Sequence, residues 1–274
     1  MSNKKFILNA DDFGMSNAFN RAVLEGYNHG FLTSASICAN GEAFSAAVNE
    51  IIPECPKLGI GIHLNIIEGI SLFNNEKFNA GYLKLIYLSN SSIFMGQVEK
   101  EFRLQIERVL KYTKADHLDS HVHVHAIPNI FEITCKLAKE YGILQVRTQF
   151  EKFYLIPDVL KHINLAYPPN ILKVGLLNSY TLQNRKIIKK YGLKTNDYLI
   201  GVGYTGMMDD KTVYHGLSAI KDDSIVEALI HPCFYADTKK NKDNHYKEYL
   251  ITQNMDLKDK IQRLDFEIVN YKNS

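Results

Sequence analysis

The residues of this chain best suited to acid–base or metal chemistry follow short apolar segments. The first pair, Asp11 and Asp12, comes directly after the apolar segment Lys5–Ala10. One of the two could cap a following helix. Capping does not explain why two adjacent acids directly follow a buried apolar segment. We interpret one carboxylate as a metal ligand. The positive charge of the metal would keep the other carboxylate ionised, and that carboxylate would take a proton from a bound water.

A second group consists of three histidines that alternate with valines. If Asp116–His125 is a strand, His121, His123 and His125 lie on one face of it, because strand side chains alternate. Three crowded imidazoles make a poor core, whereas a metal binds their neutral nitrogen atoms. The alternative is the polar face of an edge strand. Alternate residues of a strand lie about 6.6–7 Å apart, so the three need not all reach one ion.

Three further residues become functional candidates because of the acid pair and the histidines. They are His63, His231 and Arg147, and each lies in or directly after an apolar segment. Alone, they would be typical of packed core histidines and a surface arginine. Together with the acid pair, His63 joins the candidate metal residues. His231 becomes a candidate general acid, because imidazole titrates near neutral pH. Arg147 is predicted to hold a carboxylate through two parallel hydrogen bonds.

An aspartate with two histidines is a mixed oxygen and nitrogen donor set that leaves positions for water and substrate. It suits a divalent ion such as Zn, Mn, Co or Ni, or Mg where carboxylate and water dominate. The chemistry implied is hydrolysis, because such an ion polarises a carbonyl or phosphoryl oxygen and lowers the pKa of its water. Two alternatives stay open. One is a metal-dependent phosphoesterase or amidohydrolase on another small substrate, and the other is a non-catalytic sugar- or metal-binding protein.

Strands and helices must bring these residues close together. Along the chain, strand-like segments alternate with helical ones. The predicted strands are 5–10, 33–39, 58–66, 116–125, 143–148, 171–176, 198–202, 226–230 and 266–269, and a long loop is predicted over 70–94. Helices are predicted over 16–29, 42–52, 98–110, from 128 onward, and over 180–191, 211–220 and 244–263. This alternation predicts an α/β fold, a closed barrel of about seven parallel strands in a single domain over 1–274. An open doubly wound sheet is the alternative.

Composition excludes several classes of protein. The 274 residues carry 32 basic and 30 acidic side chains, a net charge of +2 without a basic cluster, which argues against nucleic acid as a partner. No apolar run approaches the ~18–20 residues of a membrane helix. The four cysteines lie far apart, and the first residues lack the apolar region of a secretory signal. We therefore predict a cytoplasmic protein with reduced thiols and no membrane contact.

Residues 201–206 have the Gly-x-Gly-x-x-Gly pattern of phosphate-binding loops. No Gly-Lys-Ser/Thr follows, and the pattern occurs too late in the chain for a leading nucleotide-binding unit. We predict a loop at the mouth of the barrel instead.

Five motifs, in order along the chain, resemble the YdjC-like family of carbohydrate deacetylases, which includes chitooligosaccharide deacetylases. They are Asn9–Gly14, Leu32–Ser36, Gly61–Asn65, Leu118–His125 and His231-Pro232. The resemblance implies a deacetylase-type barrel, a distorted relative of the (β/α)₈ barrel. It also implies removal of an acetyl group from an N-acetylated sugar, with one divalent ion, Mg or Zn before Mn, Co or Ni. A homodimer is the implied assembly.

The resemblance also implies roles for individual residues. Asp11 would be the base, Asp12, His63 and His121 the metal ligands, and His231 the acid, with Arg147 kept among the catalytic candidates. His123 and His125 would lie behind the ligands or face the substrate. The chain departs from the family pattern at Ile70-Ser71, where a proline often follows Glu68-Gly69, and at Lys247, where an arginine is usual. Both departures concern specificity.

Overall fold

The strands of the protein form one parallel sheet. A computed structural model describes residues 3–235 and 243–274, and in these the sheet order is β5-β4-β3-β2-β1-β7-β6, with β8 paired to the start of β1. The strands are β1 (Lys4–Phe13), β2 (Ser34–Ile37), β3 (Gly59–Leu64), β4 (His117–Ser120), β5 (Gln145–Val146), β6 (Tyr198–Ile200), β7 (Ile225–Ile230) and β8 (Phe266–Ile268). Because every pairing is parallel, all carboxyl ends point to the same side of the molecule.

Helices connect the strands and cover the sheet. They are α1 (Asn17–Asn28), α2 (Phe44–Ala46), α3 (Ile52–Glu54), α4 (Tyr82–Leu88), α5 (Ser92–Leu110), α6 (Pro128–Glu140), α7 (Val159–His162), α8 (Tyr167–Tyr191), α9 (Asp210–Ser218), α10 (Asn244–Gln253) and α11 (Met255–Arg263). A π-helical turn joins α2 to α3. In the described part of the chain, no helix is long and apolar enough to cross a membrane.

The edges of the sheet meet in an irregular seam between β5 and the segment leading into β6. The backbone amide of Val146 donates to Lys194 O (3.1 Å), and that of Leu199 donates to Phe150 O (2.8 Å). Between these bonds the Asn196 side chain pairs with both the amide and the carbonyl of Thr148 (2.8 and 2.9 Å). The sheet is therefore curled into a distorted barrel, which confirms the prediction of an α/β barrel with about seven strands.

The core lies on both sides of the sheet. In β1, every residue from Phe6 to Phe13 is buried, and all of β3 is buried as well. Continuous burial is typical of parallel strands with helices packed outside, because neither face meets water. The buried strands therefore give a closely packed support to the polar residues at their carboxyl ends.

The predicted strand 116–125 is wrong beyond Ser120. From His121 to Ala126 the chain forms 3₁₀ turns, in which Val122 and His123 have φ of +52° and +60°. The ladder between β3 and β4 ends at the pair Leu64 and Ser120, so no neighbouring strand continues to hold the chain extended. Consequently His121, His123 and His125 do not share a strand face.

Several other predicted elements differ from the structure. The predicted helix 244–263 is two helices, α10 and α11, which are separated at Asn254, and the predicted helix 180–191 is the second half of α8. The predicted helix 42–52 is divided among α2, the π-helical turn and α3. Residues 171–176 are not a strand but lie inside α8, whose prolines stand in its first turn, where the missing amide hydrogens cost nothing. The predicted loop 70–94 contains α4 and the start of α5, which Ser91 caps. The predicted strand 143–148 is reduced to β5, since the residues around it pair irregularly across the seam.

Candidate metal centre

Asp12, His63 and His121 meet at the carboxyl end of the barrel. The Oδ1 atom of Asp12 lies 2.8 Å from His121 Nδ1 and 3.3 Å from His63 Nε2. One ligand atom from each of the three residues lies within 4.8 Å of the other two. The structure thus brings together the three residues that the family resemblance implies as metal ligands, from β1, β3 and the turn after β4.

An irregularity in β1 allows both aspartates to reach the site. Adjacent residues of a regular strand point to opposite faces, yet Asp11 and Asp12 line the same cavity. The register between β1 and β2 shifts between Ala10 and Phe13, and Asp12 has φ of +64°. A bulge of this kind redirects a side chain at the end of a strand. Backbone strain at this point is consistent with a functional role for the pair.

Each candidate histidine ligand has a carboxylate on its other ring nitrogen. His63 Nδ1 lies 2.7 Å from Asp119 Oδ1, and His121 Nε2 lies 3.1 Å from Glu68 Oε2. Metal-binding histidines in proteins are oriented in this way, because the carboxylate fixes the ring and the proton on the distal nitrogen. The nitrogen that faces Asp12 is then available to a cation.

The charges of the site favour a cation. Burial raises the pKa of Asp12, but its bonds to His121 and His63 outweigh this and hold the pKa well below its usual range. Burial lowers the pKa of His63, yet the nearby Asp119 and Asp11 carboxylates raise it to about 10. Positive charge is therefore stabilised between these groups. An oxygen and two nitrogen donors in such surroundings fit a divalent ion.

Arg147 lies beneath the site. Its guanidinium donates to both oxygens of Asp11 (2.8 and 2.7 Å), to Glu227 Oε2 (3.0 Å), and lies 2.7 Å from Asp119 Oδ2. The predicted two-point contact with a carboxylate is present. Arg147 is fully buried, and its contacts fix the orientation of the Asp11 and Asp119 carboxylates.

A cavity of ≈ 500 Å³ opens over the candidate metal residues. Asp11, Asp12, His121 and His231 all line it, so the predicted base and acid face the same space. Burial lowers the pKa of His231, but Glu248, whose Oε2 lies 3.4 Å from Nδ1, outweighs it and raises the pKa to about 9. His231 is thus suited to donate a proton at neutral pH.

The remaining two histidines of the ladder have different surroundings. His123 lines the cavity, its buried Nδ1 has no hydrogen-bond partner among the described residues, and burial lowers its pKa well below the usual value. His125 is enclosed instead: Nδ1 contacts Ser120 Oγ, and Nε2 lies 3.0 Å from Arg147 O. His123 therefore faces the cavity, whereas His125 is held between Ser120 and the backbone of Arg147.

The glycine pattern at 201–206 binds a carboxylate of the protein itself. The amides of Val202 and Gly203 donate to Glu151 Oε2 at 2.8 and 3.2 Å. Thr205 and Gly206 line the cavity, so the segment lies at the mouth of the barrel, as predicted. The amides of Val202 and Gly203 are occupied by Glu151, and that of Thr205 donates to Val202 O (3.3 Å), so these three are not free to bind a phosphate.

Sequence reasoning assigned no role to Glu68, Asp119 or Glu227. The available signals were weak: Asp119 stands among the ladder histidines, and Glu227 is a lone acid in the apolar strand β7. Nothing local in the sequence links Glu68 to His121, which lies 53 positions away. Their roles depend on which strands are neighbours.

The fold and site define a parallel α/β barrel with an aspartate and two histidines at the carboxyl ends of its strands. The chain belongs to the family described as YdjC-like protein, whose model matches residues 5–263. This confirms the resemblance of the motifs.

Similar proteins support the assignment. A carbohydrate deacetylase from Clostridium beijerinckii is 40% identical over 144 residues, which cover 51% of this chain and 58% of that protein. A carbohydrate deacetylase from Listeria welshimeri is 26% identical over 284 residues, covering 98% and 99% of the two chains. The stronger match therefore spans about half of either protein. A crystal structure from Enterococcus faecalis V583, provisionally named a cellobiose-phosphate cleavage protein, matches the fold with a TM-score of 0.73 at 20% identity, covering 99% of both chains.

Proposed function

We propose that the protein is a metal-dependent carbohydrate deacetylase that hydrolyses the acetamide of an N-acetylated sugar. The observation that carries the proposal is one cavity lined by Asp11, Asp12, His121 and His231, with His63 behind Asp12. The relatives named carbohydrate deacetylases support the substrate class. A cytoplasmic location, a homodimer and a single domain over 1–274 stay predictions of the sequence.

Asp12, His63 and His121 would hold the ion. A bound divalent cation would supply polarisation of the acetamide carbonyl and a lowered pKa for a neighbouring water molecule. Mg or Zn is proposed first, and Mn, Co and Ni are alternatives. Asp119 and Glu68 keep the two imidazole rings in the orientation that binding requires.

Asp11 would accept a proton from the attacking water. Its carboxylate is held by Arg147 through two bonds and by Asn9 Nδ2 at 2.8 Å. These bonds orient the group, and the cavity leaves it open to one side. Orientation of a base before the reaction removes part of the entropic cost of reaching the transition state.

His231 would donate a proton to the nitrogen that leaves with the sugar. Glu248 keeps this imidazole protonated at neutral pH. Without a proton donor, an amine anion would have to leave, which is far less favourable. His123, neutral and in the same cavity, would contact the substrate.

The test is acetate release from N,N′-diacetylchitobiose by protein stripped of metal and then resupplied with Mg, Mn, Co or Zn. We expect release that depends on the metal and is lost in Asp11→Asn, with metal content nearly unchanged. Asp158→Asn, at an exposed aspartate, is the control and should keep full activity. Loss of metal together with activity in Asp11→Asn would instead make Asp11 a ligand. Tight metal binding without release would contradict the proposed reaction.

A further inference from the structure

A buried hydrogen-bond network joins α5 to the segment that carries Glu68. Residues 65–73, which we call the 65–73 loop, follow β3 and include the carboxylate that lies 3.1 Å from His121 Nε2. The Glu68 side chain is 62% exposed, so core packing does not hold it against the imidazole. The position of this carboxylate therefore depends on how the backbone of the loop is fixed.

Asn65 fixes the first half of the loop. Its side chain is buried, and its Oδ1 atom accepts from the amides of Ile67 and Glu68 (3.0 and 3.1 Å). Its Nδ2 atom donates to the carbonyl of Glu68 (2.8 Å) and to Asn40 Oδ1 (3.2 Å). Both main-chain polar groups of Glu68 are thus bound by one side chain, in a turn that asparagine is suited to form.

Gln105 of α5 fixes the main chain of Asn65. The ladder between β3 and β4 ends at Leu64. At the next residue the buried Gln105 amide accepts from the Asn65 amide (2.9 Å) and donates to its carbonyl (2.6 Å), as the peptide group of a neighbouring strand would. Because loss of either bond would leave a buried polar group unpaired, the contact holds the start of the loop in one position.

Glu101, one helical turn before Gln105, fixes the other end of the loop. Its buried carboxylate accepts from Gln105 Nε2 (2.7 Å). It also accepts from the hydroxyl of Ser71 (2.7 Å) and from the amide of Phe73 (2.8 Å). The helix therefore binds the loop on both sides of its central carboxylate.

We propose that Asn65 and Gln105 are positioning residues that set metal affinity by holding Glu68 against His121. The inference rests on the proposed metal-dependent function and extends it to residues that are not among the candidate ligands. A carboxylate that is already in place orients the imidazole before the ion arrives. Binding then orders fewer groups and costs less conformational entropy.

The experiment measures Zn affinity by competition with a chromophoric chelator at constant pH. It uses the wild type and a double-mutant cycle of Asn65→Ala with Glu68→Ala. Asn65→Ala alone should weaken Zn binding by roughly tenfold, at the lower end of the effect of losing a ligand's partner. In the Glu68→Ala background the same substitution should change the affinity by less than about twofold, because its effect acts through Glu68.

Two further variants complete the design. Gln105→Met, in the same cycle with Glu68→Ala, replaces Asn65→Ala should that variant not fold, and it should show the same dependence on Glu68. Asn74→Ala is the control. Asn74 Oδ1 accepts from the amide of Glu76 (3.1 Å) in an exposed turn just beyond the loop, so its removal should leave Zn affinity unchanged.

The outcomes separate this proposal from the proposed function. Unchanged affinity in Asn65→Ala, or an equal loss with and without Glu68, would overturn the positioning role and leave the deacetylase function intact. The expected dependence on Glu68, without acetate release from N,N′-diacetylchitobiose by the wild type, would support the positioning role and contradict the reaction. Absence of metal binding by the wild type would overturn both.

Discussion

His121 contacts a carboxylate at each ring nitrogen, with Asp12 at Nδ1 and Glu68 at Nε2. His63 has the same arrangement with Asp12 and Asp119. At the scale of residues, carboxylates on both nitrogens of each imidazole distinguish a candidate metal site from an ordinary cluster of polar side chains at a sheet edge. One carboxylate faces the proposed ion, and the others orient the imidazoles that bind it.

Glu68 should therefore govern metal affinity. We expect Glu68→Ala to weaken binding of Zn or Co by roughly 10–100-fold, the usual effect of removing the partner of a ligand. Glu68→Gln, which keeps an acceptor for His121 Nε2, should recover part of the loss. Competition with a chromophoric chelator measures the affinity directly. Glu50→Gln, at an exposed acid, is the control. An affinity unchanged in Glu68→Ala would argue against this role.

Glu248 should set the alkaline limit of activity. Burial lowers the pKa of His231, whereas Glu248, Asp12 and Asp11 together raise it to about 9. If the protonated imidazole is the acid, kcat/KM should fall as pH rises through that value. Glu248→Gln removes the negative charge, so the same decline should occur at lower pH. Profiles of kcat/KM between pH 6 and 10 test this. A decline at the same pH in the wild type and in Glu248→Gln would contradict it.

At the scale of elements, a glycine in β3 makes room for a side chain of β4. Gly61 pairs in register with His117, whose Nε2 lies only 2.2 Å from where a Cβ on Gly61 would stand. His117 is itself fixed, because its ring stacks on Tyr271 at 3.8 Å and Nδ1 contacts Asp116 at 2.6 Å. The glycine therefore determines how closely β3, which carries His63, can pack against β4, which leads to His121.

Substitution of Gly61 tests this packing. Gly61→Ala should destabilise the fold by about 1–3 kcal/mol, the cost of overpacking a dense core. Gly96→Ala is the matched control: Gly96 lies on the exposed face of α5, and beyond its chain neighbours and its own helix backbone no atom lies within 4 Å of the added Cβ. In a helix interior it should stabilise by up to about 1 kcal/mol. Urea unfolding of both variants gives the free energies. Equal stability of the two variants would show that His117 can move.

At the scale of the whole molecule, Arg147 connects distant parts of the barrel. It contacts Asp11 of β1, Asp119 of β4 and Glu227 of β7. Burial lowers the pKa of Arg147, but the three carboxylates outweigh this and hold the pKa well above its usual value. One cation thus compensates charges from strands on both sides of β1.

Removal of that cation should be costly. Arg147→Met leaves buried carboxylates uncompensated, and we expect a loss of about 3–5 kcal/mol in the free energy of unfolding. Arg263→Met, at an exposed arginine of α11, should change it little. Chemical unfolding followed by circular dichroism measures both. A loss below about 1 kcal/mol for Arg147→Met would indicate that the network relaxes by protonation or water entry.

Local sequence patterns predicted the alternation of strands and helices, the parallel sheet, and the acids and histidines at the strand ends. Those features are local: an apolar segment followed by acids or a histidine is visible in the chain, and parallel strands place their carboxyl ends on one side. These patterns single out the acid pair, His63 and the three ladder histidines as a group, and the choice of Asp12, His63 and His121 among them is what the family resemblance implies.

The tertiary structure alone decided how these residues are supported. The turn at 121–126 exists because the ladder to β3 ends at Ser120, and the helix at 171–176 because α8 continues through it. Glu68 and Glu227 acquire partners 53 and 80 positions away in the chain. Such contacts follow from strand order and register, and these depend on packing of the whole chain rather than on local sequence.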